Sequence, residues 1–201
     1  MFVDGNKRGW GSDVYSPEEL AEIRHHEAQH ASDILGVTYL GNLGFNNQNP
    51  GTVEEICEAI VGVMRKLQVQ TIISVDPALP NEIHPAHLRA GRAVMEAFMR
   101  VNQPYFPYHE NTRHDDAYSA TILGQYFTDT DNEIVDVTLQ YDRKIQAIQA
   151  HQSQIDASFL GMLEMYYGVI ADTTPFERAE RVKLLGHVHT HCFAFPKGVT
   201  F

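Results

Sequence analysis

The sequence predicts an α/β fold with a doubly wound, mostly parallel sheet and helices on both faces. Three observations lead to this prediction: two capped helix starts, a run of β-branched residues between helices, and a regular alternation of helix and strand. The chain has 201 residues, of which 43% are hydrophobic. A chain of this size can bury one core, so we expect a single domain over residues 1–201.

The first predicted helix is marked at both ends. Ser16-Pro17-Glu18-Glu19 combines an N-cap serine, a proline at the first helical position and a glutamate that completes a capping box. Gly36 supplies a C-terminal stop. We therefore predict a helix over residues 17–35, with Arg24 at the edge of its apolar stripe, and a short strand over residues 37–40.

The next elements set the alternation. Thr52 and Glu55 form a second capping box, so we expect a helix that ends near Leu67. The β-branched run at residues 69–75 is typical of a strand buried on both faces of a parallel sheet. A helix over residues 86–100 follows. Further along, the pattern predicts strands near 121–127 and 134–137, helices near 139–150 and 157–171, a short helix from Phe176, and a terminal strand.

The composition excludes several classes of partner. The chain has 26 acidic and 15 basic residues, a formal net charge of -11, so its surface should repel phosphate backbones and anionic lipid. We expect no nucleic-acid partner and no membrane partner. Its apolar runs are too short for a membrane span, and its start lacks an apolar signal core. Cys57 and Cys192 are too few for a disulfide framework, which favours a cytoplasmic protein.

Two histidines lie where such sheets bind ligands. Ile83-His84-Pro85-Ala86-His87 stands between the predicted buried strand and the following helix, and ligands of open α/β sheets bind beyond the carboxyl ends of the strands. One imidazole of such a pair can bind a metal while the other reaches the substrate. Gly91 would let the helix pack closely. We interpret His84 and His87 as half of a metal-hydrolase site.

Other histidine groups allow plainer interpretations. Three alternate near the C-terminus and would face one side of a strand, where they could bind a metal, although an exposed strand face is the favoured interpretation. A group in the first helix is typical of solvated surface, and His151 suits a helix C-terminus. The groups of three are His187, His189 and His191, and His25, His26 and His30.

The stretch 83–94 resembles the H-P-D-H-R-x-x-G-x-A-V segment of the LmbE-like, or PIG-L-type, deacetylases. Several such matches in register are far more specific than the histidine pair alone, and they imply a Rossmann-like fold. The other matches, in order, are the D-G loop at Asp4-Gly5, I-R-x-x-E-A at 23–28, V-D-I-T at 135–138, K-x-x-A-I at 144–148, H-x-S-Q at 151–154 and E-R-A-E at 177–180.

The resemblance implies a metal-dependent hydrolase, usually with Zn²⁺, that removes an acetyl group from a small N-acetylated sugar or sugar conjugate. Carried over by position, His87 is a metal ligand, and His84 stabilises the oxyanion or protonates the leaving amine. Arg24 contacts the substrate. Asn47 stands in the substrate-binding loop, at a position where the family has an aspartate.

The chain also departs from the family pattern. The family's first motif, A-H-P-D-D, supplies two further metal ligands and the general base, and it precedes the D-G loop at which this sequence starts. We therefore expect an N-terminally incomplete domain that lacks a strand-helix-strand unit, with the other zinc ligands in the missing motif. His114-Asp115-Asp116 has the wrong spacing to replace it. Ala86 replaces the middle aspartate of H-P-D-H, so polar support for His84 is lost.

Two explanations of the missing motif remain open: a shortened sequence, which the retained pattern favours, or a natural chain that has lost metal binding and is inactive. Our main functional hypothesis is a zinc-dependent N-deacetylase. The alternatives are a non-catalytic family member that binds a ligand or partner in the same cleft, and a metal hydrolase of another substrate class that uses the C-terminal histidines. The oligomeric state is open, and an unpaired sheet edge is compatible with a homo-oligomer.

Overall fold

The structure, a computed structural model, describes residues 15–46 and 49–191. The α/β prediction is confirmed: these residues form five α-helices and a four-stranded sheet. In chain order they are α1 (Pro17–Leu35), α2 (Val53–Leu67), β1 (Thr71–Val75), α3 (Pro85–Arg100), β2 (Ile122–Tyr126), β3 (Glu133–Asp136), α4 (Tyr141–Gln149), α5 (Ala157–Ala171) and β4 (Ala179–Leu185), with 3₁₀ helices at Tyr108–Glu110 and His187–Thr190.

The predicted helix starts are confirmed because each is fixed by local hydrogen bonds. The Ser16 hydroxyl accepts from the backbone N–H of Glu19 at 3.2 Å, and the Glu19 carboxylate accepts from the backbone N–H of Ser16 at 2.8 Å. These bonds lower the pKa of Glu19. Thr52 and Glu55 repeat the arrangement at the start of α2. Gly36 ends α1 with a φ of 72°, a left-handed conformation that favours glycine.

The sheet corrects the prediction of mostly parallel strands. Its order is β1-β2-β4-β3. β1 and β2 are parallel, with Thr71 opposite Ile122, but β2 and β4 are antiparallel, with Leu123 opposite Leu185. The helix-strand alternation runs only from α2 to β2. β4 follows two helices in succession, so the crossover rule for parallel strands does not fix its direction.

Three further predictions about secondary structure are wrong. Residues 37–40 form no strand, and Val37 and Leu40 are exposed. β1 is a strand but is not buried on both faces, since Ile73 is 62% exposed. Apolar and β-branched residues favour an extended backbone but do not specify which neighbours cover it. The segment after Phe176 bends and then enters β4 instead of forming a helix.

The chain divides into two compact units. The first, the helical unit, comprises Met1–Gly41 and Asp136–Glu180; the second, the histidine unit, comprises Asn42–Val135 and Arg181–Phe201. The expectation of a single domain stays a prediction. Among residues 15–46 and 49–191, no helix has the length and apolar character needed to cross a membrane.

The histidine unit has the larger apolar core. In it α2 packs on α3, and α3 packs on β1. Arg65 is buried in α2 and donates to the carbonyl oxygens of Val101, Gln103 and Phe106 at 3.3, 2.8 and 2.8 Å. One guanidinium therefore holds the turn that follows α3, and all of its donated bonds go to backbone oxygens that would otherwise need another partner.

In the helical unit α1 packs on α4 through Ala31, Ala147 and Ala150. Glu27 is buried on α1, and its carboxylate accepts from the backbone N–H of Ser153 at 2.6 Å and from the Ser153 hydroxyl at 2.7 Å. The I-R-x-x-E-A and H-x-S-Q segments are thus joined by a buried carboxylate. That contact gives both segments a structural role.

Candidate functional site

The loop that carries the two histidines begins at a buried anchor. Asp76 directly follows β1 and is 1% exposed. Its carboxylate accepts from the Thr128 hydroxyl at 2.7 Å and from the backbone N–H of Ala78 at 2.9 Å, and the Lys183 ammonium lies 3.6 Å away. A buried carboxylate with these partners is well satisfied. The anchor fixes the direction in which the chain leaves the sheet.

Gly91 lets α3 approach that anchor closely, as the sequence predicted. A Cβ at position 91 would lie 2.8 Å from the carbonyl oxygen of Val75 and 2.9 Å from Cδ of Pro77. Real Cβ contacts are not that short, so a larger residue would push α3 away from the end of β1. His84 and His87 begin this helix and would move with it.

His84 is the N-cap of α3. Its Nδ1 accepts from the backbone N–H of Ala86 at 3.2 Å, and its own backbone N–H donates to the Glu82 carboxylate at 2.7 Å. A backbone amide can only donate, so Nδ1 carries the lone pair and the neutral ring carries its proton on Nε2. Burial, and then the charge of His87, lower the pKa of His84. Its Nε2–H is therefore a neutral hydrogen-bond donor.

His87 has the opposite arrangement. Its Nδ1 lies 2.8 Å from Oε2 of Glu82, and its ring stacks on that of His84 with centroids 4.2 Å apart. A carboxylate accepts the Nδ1–H, which leaves the lone pair on Nε2. The hydrogen bond to His87 lowers the pKa of Glu82. An Nε2 lone pair held in this way suits a metal ligand, because ligating histidines usually donate their other N–H to an acceptor such as a carboxylate.

The described residues do not complete a metal site. Within residues 15–46 and 49–191, no group of three or more His, Cys, Asp or Glu side chains could hold a metal ion. His87 has the chemistry of one ligand, whereas a catalytic zinc usually takes three from the protein.

The C-terminal histidines do not form the predicted strand face. His187–Thr190 is a 3₁₀ helix, so the alternation that would align three imidazoles on a strand does not apply. His187 stacks on Phe98 and lies, through Nε2, 2.7 Å from the carbonyl oxygen of Ala120. His189 accepts from the backbone N–H of Gly186 at 3.1 Å. These contacts are structural, and the exposed strand face that the sequence favours is therefore wrong.

The remaining predicted residues are distributed differently. Arg24 lies on α1 of the helical unit, whereas His84 and His87 lie in the histidine unit. The Nε atom of Arg24 is buried and has no hydrogen-bond partner among the residues described. A buried donor without a partner lowers the stability of the fold, and a bound ligand could satisfy it. Asn47 lies outside the described residues, and its role stays a prediction.

Sequence reasoning missed Glu82, the side chain that connects the two histidines. It precedes the motif, and no periodic pattern links it to His87.

Cys57 is excluded as a nucleophile, because it is fully buried and burial raises the pKa of its thiol to about 12.

Three later family segments have structural roles in the helical unit. The ammonium of Lys144 pairs with Glu180 and lies 4.6 Å from the centroid of the Tyr167 ring. The hydroxyl of Thr138 accepts from the backbone N–H of Arg178 at 3.1 Å. These bonds join K-x-x-A-I and V-D-I-T to E-R-A-E. The segments are therefore explained by the fold.

Comparisons with known proteins agree with the resemblance. The model of the PIG-L family, described as GlcNAc-PI de-N-acetylase, matches residues 1–98. Diacetylchitobiose deacetylase of Thermococcus kodakarensis is 28% identical over 206 residues, which cover 99% of this chain and 72% of that protein. The "Probable N-acetyl-alpha-D-glucosaminyl L-malate deacetylase 2" of Bacillus anthracis is 24% identical over 168 residues, 81% of this chain and 70% of that protein.

Among solved structures, the N,N'-diacetylchitobiose deacetylase from Pyrococcus horikoshii, complexed with its inhibitor, superposes with a TM-score of 0.82. The two chains are 24% identical, and the match covers 93% of this chain and 72% of that one. This likeness shows that the fold is shared. Function has to be argued from the site.

Proposed function

The chain is related to the PIG-L (LmbE-like) family, and from this premise we propose that it is a hydrolase that removes the acetyl group from an N-acetylated sugar or sugar conjugate. The substrate is a small molecule, and neither nucleic acid nor a membrane is a partner. We further propose a zinc-dependent reaction and a cytoplasmic location. The cysteine usage of the sequence supports the location.

The observation that carries the proposal is the stacked pair of histidines, whose Nε2 atoms have opposite hydrogen-bonding roles. His84 presents an Nε2–H donor and His87 an Nε2 lone pair, with ring centroids 4.2 Å apart. They begin α3 beyond the carboxyl end of β1. This arrangement suits amide hydrolysis, since the carbonyl oxygen that gains negative charge needs a hydrogen-bond donor, and a metal held by the lone pair would activate the attacking water.

Each ring then has a defined task. The Nε2–H of His84 donates a hydrogen bond to the carbonyl oxygen as it becomes an oxyanion. The Nε2 of His87 is a metal ligand, and a divalent metal such as zinc supplies Lewis acidity when bound. Arg24, with its buried Nε, contacts the substrate. Asn47 is proposed as a second substrate-binding residue on the strength of its sequence position alone.

A second candidate function is favoured by a specific observation. Ala86 stands where the family motif has an aspartate, and this departure suits a non-catalytic relative that binds a ligand or partner in the same cleft.

A substrate panel separates the two functions. Acetate release would be measured with added Zn²⁺ on N,N'-diacetylchitobiose, on N-acetylglucosamine and, as a control, on an N-acetyl amino acid. We expect release from the sugars, none from the control, and loss of activity in His87→Ala but not in His109→Ala, which removes an exposed histidine elsewhere. Sugar binding without acetate release in the wild-type protein would support the non-catalytic function and contradict the deacetylase.

A further inference from the structure

We propose that Glu82 is a positioning residue that sets the tautomer of His87. The Nε2 atom of His87 is thereby an acceptor, whereas the Nε2 atom of the stacked His84 is a donor. This inference rests on the proposed function, because it explains how the same pair is prepared for amide hydrolysis. Glu82 precedes the family motif segment, which begins at residue 83.

The Glu82 carboxylate connects both histidines at the junction of loop and helix. Oε1 accepts from the backbone N–H of His84 at 2.7 Å, and Oε2 lies 2.8 Å from Nδ1 of His87. The backbone N–H of Glu82 donates to the carbonyl oxygen of Leu79 at 3.0 Å, which holds the residue in its turn. The side chain is only 17% exposed. Both oxygens are therefore engaged, and the carboxylate has little room to rotate.

The two rings differ in what fixes their protons. His84 is set by the backbone, because the amide of Ala86 can only donate to Nδ1. His87 is set by a side chain, because a carboxylate can only accept from Nδ1. The tautomer of His87 thus depends on Glu82, while that of His84 depends on the start of α3.

Apolar packing does not fix the orientation of the His87 ring, so it cannot do the work of the Glu82 hydrogen bond. The His87 side chain is 54% exposed, so no closed wall of apolar atoms fixes its ring. Ala86, which stands between Pro85 and His87, has no polar side-chain atom. The carboxylate of Glu82 and the stacked ring of His84 are the contacts that orient it.

Two substitutions have different expected effects. Glutamine at position 82 has one oxygen and one NH₂ group, so it cannot accept from both partners. If its oxygen keeps the backbone N–H of His84, the NH₂ group faces Nδ1 of His87 and donates to it, which moves the His87 proton to Nε2. Glu82→Ala removes the acceptor that favours a proton on Nδ1 of His87, but it adds no donor that would favour a proton on Nε2.

The test is nitrogen NMR on the full chain with ¹⁵N-labelled histidine, at about pH 8.5, roughly two units above the ordinary histidine pKa. Ring signals would be assigned by comparison with His84→Gln and His87→Gln. We expect His87 to carry its proton on Nδ1 in the wild-type protein, on Nε2 in Glu82→Gln, and on both in Glu82→Ala. His84 should keep its proton on Nε2 in all three.

Glu58→Gln is the matched control, because Glu58 lies 3.3 Å from Nδ1 of His109 in a second pair of an exposed histidine and a partly buried carboxylate. It should change the His109 signal and leave His87 unchanged, which also shows that the fold is intact. An Nε2 proton on His87 in the wild-type protein, or an unchanged Nδ1 proton in Glu82→Gln, would overturn the proposal. The measurement needs neither substrate nor metal, so its outcome is independent of whether the protein releases acetate.

Discussion

The histidine unit contains two groups of closely spaced histidines that differ in what their neighbours do with them. His84 and His87, three residues apart at the start of a helix, bring their rings to 4.2 Å. His187 and His189, two residues apart in a 3₁₀ helix, are each tied to nearby backbone. With three residues per turn, a spacing of two places side chains on different sides of such a helix.

The spacing of two histidines alone does not identify a functional site. In the first group Nδ1 of each ring makes a hydrogen bond, and these bonds define Nε2 as a donor in His84 and an acceptor in His87. In the second group the Nε2 of His187 itself contacts a core carbonyl oxygen. The other bonds of each ring decide what its Nε2 can do.

Metal binding is expected to show the largest contrast between the two groups. His87→Ala should weaken Zn²⁺ binding by more than roughly 100-fold, because loss of an outer partner alone typically weakens binding by roughly 10 to 100-fold. Competition with a chromophoric chelator measures this, and Glu82→Ala should fall in the smaller range.

His189→Ala and His191→Ala are the controls and should bind Zn²⁺ like the wild-type protein. Zinc that survives His87→Ala but is lost in His191→Ala would move the metal site to the second group. A wild-type protein that binds no zinc would favour the non-catalytic relative.

Stability is expected to show the reverse contrast. His187→Ala should lower the free energy of unfolding by roughly 1–3 kcal/mol, because the carbonyl oxygen of buried Ala120 loses its partner and Phe98 loses its stacking contact. His87 is half exposed, so His87→Ala should change stability by less than about 0.5 kcal/mol. Urea titration of both variants gives the two values; equal losses would remove the contrast.

The close packing of α3 should have a similar effect to that of His187. Gly91→Ala places a methyl group 2.8 Å from the carbonyl oxygen of Val75 and should destabilise the protein by roughly 1–3 kcal/mol. Gly62→Ala in α2 is the matched control. In the part of the chain that the structure describes, no atom outside its own helix backbone and chain neighbours lies within 4 Å of its added Cβ.

Gly62→Ala should therefore stabilise the protein by roughly 0.5–1 kcal/mol, as helix propensity dictates. Thermal unfolding of both variants checks the difference in sign. A neutral Gly91→Ala would mean that α3 can shift away from β1, and the histidines with it.

Features fixed by neighbouring residues were predictable from the sequence. The bounds of α1 follow from Ser16, Glu19 and Gly36, which interact within one turn of the helix ends. The histidine pair was identified for the same reason, since its residues share one short motif.

Features that depend on distant parts of the chain were not predictable. The antiparallel direction of β4 is set by pairing with β2, some 60 residues away in sequence. The exposure of β1 depends on which elements cover it. The role of Glu82 was not predictable, because the turn that brings its carboxylate to His87 depends on the anchor at Asp76. Asp76 is itself held by Thr128, which comes after β2 in the sequence.

The most direct test is the rate of acetate release from N,N'-diacetylchitobiose by the wild-type protein, His84→Ala and His189→Ala, all shown to be folded. We expect the wild-type protein to release acetate, His84→Ala to be slower by roughly 10² to 10³-fold because the hydrogen-bond donor to the oxyanion is lost, and His189→Ala to be unchanged. Equal rates for the two variants would contradict the proposed role of His84.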